Sequence, residues 1–129
     1  MEAEDTKIRA FTDLVAWKES HSFVLMIYDI TKHFPRDEQF ALTSQLRRAV
    51  VSITSNIAEG FSRQSQKEKL QFYSIAHGSL SEVQSQLLVA RDVHYISEDT
   101  CSNLFIQSVR VSKLIHGLIR KIRSAVYSA

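Results

Sequence analysis

Apolar residues recur at every third or fourth position in four successive stretches of the chain, the period of a helix with one buried face. The first stretch runs from about Asp13 to Phe34, along a stripe of Leu14, Trp17, His21, Val24, Tyr28 and Thr31. Thr12 or Asp13 can cap its exposed N–H groups. Phe34-Pro35 ends it, because the residue before a proline is pushed away from helical geometry. The second opens near Asp37-Glu38, whose carboxylates suit the positive end of a helix dipole. Its stripe is Leu42, Leu46, Ala49, Ile53 and Ile57, and Gly60 predicts a left-handed stop. Ser65-Gln66-Lys67-Glu68 is a capping box that launches the third, striped by Phe72, Ile75/Ala76, Ser79, Val83, Leu87 and Ala90. Ser97 caps the fourth, whose stripe is Leu104, Ser108, Val111, Ile115, Leu118 and Ile122.

Each helix is expected to span roughly 20–28 residues, or about 30–40 Å. Four rods of similar length with short links predict an all-α fold, an antiparallel up-down four-helix bundle. Residues 13–125 form that bundle, and residues 1–12 read as a flexible polar leader. Three glycines and one proline are too few for the many turns of a β-sandwich or barrel. Gly78, in mid-helix, costs about 1 kcal/mol relative to alanine, so a close approach by a neighbouring helix is expected there. The first helix also carries Phe23, Val24, Leu25, Met26, Ile27, Tyr28 and Ile30, apolar nearly all round. A helix of that kind is buried on more than one side; in a chain of 129 residues the second side is expected to be another subunit.

Net charge is only +2, but it is unevenly distributed. Residues 1–37 carry five Lys/Arg and seven Asp/Glu, whereas residues 100–129 carry five Lys/Arg and no Asp/Glu. Such asymmetry steers anionic partners to one part of a molecule. The acidic start, Met1-Glu2-Ala3-Glu4-Asp5, is not a signal peptide. No apolar run approaches the ~20 residues of a membrane span, and a cytoplasmic protein is expected.

The motifs of common catalytic chemistry are missing. There is no Glu-x-x-His for a di-iron bundle, no His-x-x-x-His or Cys-x-x-Cys for zinc, and no phosphate-binding or dinucleotide-binding glycine loop. No metal or cofactor is expected, and no enzymatic activity. His21 reads as a hydrogen-bonded core residue, and Cys101, the one cysteine, as structural or incidental. In the second helix Arg48, Ser52, Asn56 and Glu59 line one face, beside Arg47, and Glu82 stands in the third. This polar cluster (Arg47, Arg48, Asn56, Glu59, Glu82) predicts an arginine–carboxylate contact, with Glu59 or Glu82, that sets how the helices register. The best candidate contact surface is the fourth helix: Arg110, Lys113, Arg120, Lys121 and Arg123 can meet the phosphates that supply most sequence-independent affinity for nucleic acid. Aromatics for base stacking are absent from this stretch apart from Tyr127.

Residues about 14–123 closely resemble bacterial four-helix-bundle proteins encoded in intervening sequences of 23S ribosomal RNA genes. The resemblance is carried by Trp17-Lys18, Ile27-Tyr28, Thr31, Phe34-Pro35, Glu38, Phe40, Leu42 and the block Gln45-Leu46-Arg47-Arg48-Ala49. It continues through Ser52-Ile53, Asn56-Ile57-Ala58-Glu59-Gly60, Arg63, Glu68, Phe72, Ala76, Gly78-Ser79-Leu80 and Glu82. It implies an up-down bundle, a ring-like homopentamer and a kinship to accessory proteins of diversity-generating retroelements, in which a basic pentameric barrel engages reverse transcriptase and nucleic acid. This chain departs from those relatives in its modest net charge and acidic leader. No family catalytic residue carries over. Sequence and resemblance together lead to a non-catalytic oligomer that binds nucleic acid, structured RNA above all. The alternative is a protein-interaction scaffold without direct nucleic-acid contact.

Overall fold

The computed structural model describes residues 7–127, without the side chains of 126 and 127. The expected leader therefore lies outside the described residues over positions 1–6. Helices α1 (Val15–Thr31), α2 (Leu42–Ser62), α3 (Gln66–Asp92) and α4 (Glu98–Tyr127) make up the fold, with two 3-10 turns at Phe11–Asp13 and Arg36–Glu38. No strand occurs among the described residues. The helices hold 17, 21, 27 and 30 residues, so they are less equal than expected. Each helix packs on two others, α1 on α2, α2 on α3, α3 on α4 and α4 on α1, and among the described residues the backbones of diagonal helices do not approach.

Three of the four stripes meet in the core much as their spacing predicts. Leu42, Leu46, Ala49, Ile53 and Ile57 of α2 are all buried. In α4, Leu104, Ser108, Val111 and Ile115 are buried with Cys101 and Ile119, while Leu118 and Ile122 pack at the margin. In α3 the buried set is Tyr73, Ala76, Leu80, Val83, Leu87 and Ala90; Phe72 and Ser79 are half-buried and Ile75 is exposed.

Helix α1 differs. Its core face is Ala16, Ser20, Phe23, Ile27 and Thr31, about 100° around the helix from most of the expected stripe. Two polar residues are accommodated there because each returns its hydroxyl to its own helix. Ser20 Oγ donates to the Ala16 carbonyl at 2.6 Å and Thr31 Oγ1 to that of Ile27 at 2.8 Å. The bulkier Leu14, Trp17 and Val24 form a half-buried flank, and Tyr28 is exposed. His21 is no core histidine: it is exposed and stacks on Trp17 at 4.8 Å between ring centroids. Phe11 meets the edge of the same indole at 5.3 Å. The first turn, which takes up the last residues of the expected leader, thereby packs on α1 and also reaches α2.

The helix ends correct three further expectations. Asp37 and Glu38 belong to the second 3-10 turn, and α2 starts only at Leu42; the tighter turn carries the chain from α1 to α2 while Phe34 and Leu42 both stay buried. Gly60 is not a left-handed stop, since no glycine has a positive φ. It lies inside α2, where an added Cβ would stand 2.7 Å from Tyr73 Cε1 and 3.2 Å from Phe72 Cβ. The close helix approach therefore occurs at Gly60, and not at Gly78, where a Cβ would meet nothing within 4 Å. The end of α2 is satisfied instead by Lys69 of α3, whose Nζ donates to the Gly60 and Phe61 carbonyls at 3.2 and 2.7 Å. Ser65 and Ser97 do cap: their Oγ atoms accept from the Glu68 and Thr100 amides at 3.2 and 3.0 Å.

Candidate nucleic-acid interface

Burial of Leu104, Ser108, Val111 and Ile115 fixes the rotation of α4. With that face inward, Arg110, Lys113, Arg120, Lys121 and Arg123 all point to solvent. At 100° per residue they fall within an arc of roughly 160° on the side away from the core. Arg110 is anchored, its guanidinium 3.1 Å from the Glu19 carboxylate of α1, while Gln107 Nε2 donates to the Glu19 carbonyl at 2.9 Å. Lys113, Arg120, Lys121 and Arg123 make no ion pair among the described residues. The side chain of Tyr127 lies outside the described residues.

The basic face has an apolar upper part. Ile106 is 64% exposed and Val109 42%. With Phe105, Arg110 and Lys113 they line a shallow groove. Beside the basic face His77 of α3 meets His116 of α4 at 4.4 Å between ring centroids, and Ser112 Oγ lies 3.3 Å from His77 Nε2. Burial holds the His77 imidazole below its ordinary value, and the neighbouring His116 pushes the same way. Ser112 and His77 form a hydroxyl–imidazole pair, but the group next to the imidazole is a second imidazole.

The expected arginine–carboxylate cluster does not assemble. Arg47 Nε donates to Thr31 Oγ1 at 2.9 Å and its guanidinium lies over the Tyr28 ring at 4.7 Å, so it ties α2 to α1. Arg48 is exposed and without an ion pair among the described residues. Glu59 pairs with Arg63 one helical turn on, at 3.6 Å, and Glu82 accepts from Gln86 at 3.3 Å. At mid-helix the polar link between α2 and α3 is neutral. Ser52 and Ser79 hydroxyls meet at 2.9 Å, and Asn56 Nδ2 donates to the Ser52 carbonyl and hydroxyl at 2.8 and 3.0 Å. Ser52 and Asn56 share one face, as their spacing predicts, but their partner across the seam is Ser79 and not an arginine. Ser79, three and four residues from Ala76 and Val83, was the available signal. Cys101 is buried, with Sγ 3.8 Å from the Leu87 carbonyl, and burial pushes its thiol up, away from the reactive thiolate. No group of three or more His, Cys, Asp or Glu side chains could hold a metal among the described residues. No helix among them is long and apolar enough to cross a membrane.

Four helices around one core, cations turned outward and no metal-ligating cluster among the described residues define a small helical-bundle protein. Residues 12–117 match the family model of the 23S rRNA-intervening sequence protein, and the chain belongs to that family. Solved structures agree on the fold. A protein of unknown function from the S23 ribosomal protein family of Bacteroides thetaiotaomicron VPI-5482 is similar with a TM-score of 0.77 at 23% identity, over 82% of this chain and 96% of that one. No curated protein matches the chain.

Proposed function

We propose that this protein is a non-catalytic, cytoplasmic homo-oligomer that binds nucleic acid, structured RNA in particular, through the outer face of α4. The observation that carries the reading is the one-sided charge of α4: five exposed cations on one arc of one helix, in a stretch from 100 to 129 that holds no Asp or Glu. A regular polyanion is the ligand such an arc suits, because each neutralised phosphate releases counterions. In this reading the bundle is antiparallel and up-down. The contact pairs Ser52–Ser79 and Gly60–Tyr73 between α2 and α3 support it, as do Gln84–Ser108 and His77–Ser112 between α3 and α4. That topology sets Arg120–Arg123 and the α1–α2 link at opposite ends of the molecule.

Self-association is supported by α1, where Val15 and Leu25 are 57% and 58% exposed opposite the core face. The subunit number, five, comes from the family resemblance. Light scattering of the purified protein should give about five times the 14.8 kDa chain mass; a monomer at every concentration would refute the ring.

Electrophoretic mobility shifts with a structured RNA test the binding. Four or five phosphate contacts predict a loss of about 10²- to 10³-fold in affinity between 50 and 200 mM salt; no retention at low salt would refute the reading. A second reading, a scaffold for another protein, draws on Ile106 and Val109 beside Arg110 and Lys113. It would be favoured by a salt-insensitive complex with a protein that Ile106→Glu abolishes.

A further inference from the structure

The surface where α1, the second 3-10 turn and α2 meet carries a different combination of groups from α4. Phe40 is 89% exposed, more than any other large apolar side chain described. Tyr28 lies across a groove from it, and Arg47, Arg48 and Val51 share the lining. An adjoining groove shares Gln39, Thr43 and Arg47 with the first and adds Lys32 and Arg36. Four cations and two exposed aromatic rings thus border the two adjoining grooves, with the buried Phe34 at the floor of the second. No carboxylate lines either groove, although Asp37 and Glu38 stand in the adjacent turn.

Two of these groups are held in place. Arg47 is fixed by its hydrogen bond to Thr31 at 2.9 Å and by its seat 4.7 Å over the Tyr28 ring, so ring and guanidinium form a layered pair held in place. Phe40 and Arg48, beside it in the lining, are exposed, and neither is committed to a partner among the described residues. A second copy of the chain fits this depression poorly face to face, since like-charged rims would meet. An acidic protein would satisfy the cations without needing the flat surfaces. Unpaired nucleotides use both: bases stack on aromatic rings and guanidinium planes, and phosphates meet the cations.

We infer that the Tyr28–Phe40–Arg47–Arg48 corner is a subsite for unpaired bases of RNA, distinct from the duplex-tracking face of α4. The inference rests on the nucleic-acid reading of the protein and adds the form of RNA recognised: a helix with a single-stranded loop or tail. Chain ends of the RNA helix lie along α4, and the unpaired stretch reaches the corner.

Fluorescence anisotropy with the full chain separates the parts, using a labelled 20-nucleotide oligouridine and a labelled 20-base-pair RNA duplex. Phe40→Ala with Arg48→Gln alters only exposed side chains, so folding is retained. The double variant should bind oligouridine about 10- to 100-fold more weakly, the range that stacking supplies, with duplex affinity changed less than threefold. Equal binding of oligouridine by the double variant and the parent would overturn the corner while leaving the α4 reading intact. Failure of the parent to bind either probe would overturn both. Conversion of the assembly to monomers by the double variant, with oligouridine binding lost, would assign the corner to contact between copies and overturn the subsite.

Discussion

Two surfaces of this molecule are basic, and they are built differently. On α4 the cations stand alone on a helix face, one of them held by Glu19 and the others without ion pairs among the described residues. At the α1–α2 corner the cations alternate with rings, and one guanidinium is locked against tyrosine and threonine. Charge without rings reads the sugar–phosphate backbone and is indifferent to base identity. Charge with exposed rings adds an attraction that only unstacked bases satisfy. Net charge, +2 for the whole chain, is therefore a poor guide to either surface. What matters is which residues share a lining.

The most severe way to break this contrast is to neutralise α4. Replacing Arg110, Lys113, Arg120, Lys121 and Arg123 with glutamine should weaken duplex RNA binding by about 10²- to 10³-fold at 0.1 M salt and flatten the dependence of log K on log salt, measured by anisotropy titration. An unchanged salt slope would remove α4 from the interface. Next in size is a stability contrast that should leave both surfaces untouched. Gly60→Ala forces a Cβ against Tyr73 and should cost about 1–3 kcal/mol. Gly78→Ala, in open space, should gain up to about 1 kcal/mol. Chemical denaturation measures both; equal effects would refute the close approach at Gly60.

A smaller effect is expected from pH. The His77 imidazole is held below its ordinary value of 6.5 by burial and by His116. The neutral ring is therefore the form that favours folding. Its contribution should be complete above pH 6.5 and diminish as pH falls through the lowered value. His77→Gln should flatten that part of the stability–pH curve, followed by thermal melts between pH 5 and 8. The smallest change is predicted for Glu19→Gln. Loss of a partly exposed pair should cost about 1 kcal/mol and, by freeing Arg110, raise duplex affinity a few-fold.

Much of the fold was legible because α2 and α4 each carry a single apolar stripe, and Ile53 or Val111 can point only one way. Helix α1 misleads because it has two. Trp17, Val24 and Tyr28 outweigh Ala16 and Ser20 in apolar bulk, yet the smaller face is the one that enters the core; the back-bonded hydroxyls of Ser20 and Thr31 hide their polarity from it. The α4 cations could be read directly, since a helix with a known core face leaves its charges on the other. The polar cluster could not. Arg47 finds Thr31, sixteen positions earlier, and a partner at that separation depends on how two helices dock, which spacing within one helix does not encode. Phe40 was visible as a residue carrying the family resemblance, but its exposure depends on the turn that delays the start of α2 to Leu42.

Gly60 has a mechanical consequence. The Tyr73 ring occupies the space a β-carbon would need, and Lys69 clasps the adjoining carbonyls, so α2 and α3 are riveted at that junction. Further along, the one side-chain hydrogen bond across the seam among the described residues is Ser52–Ser79, and the rest of the contact is apolar packing without such a clasp. Slow breathing of the bundle should therefore be hinged at Gly60 and widest toward Leu42, where deuterium would enter first.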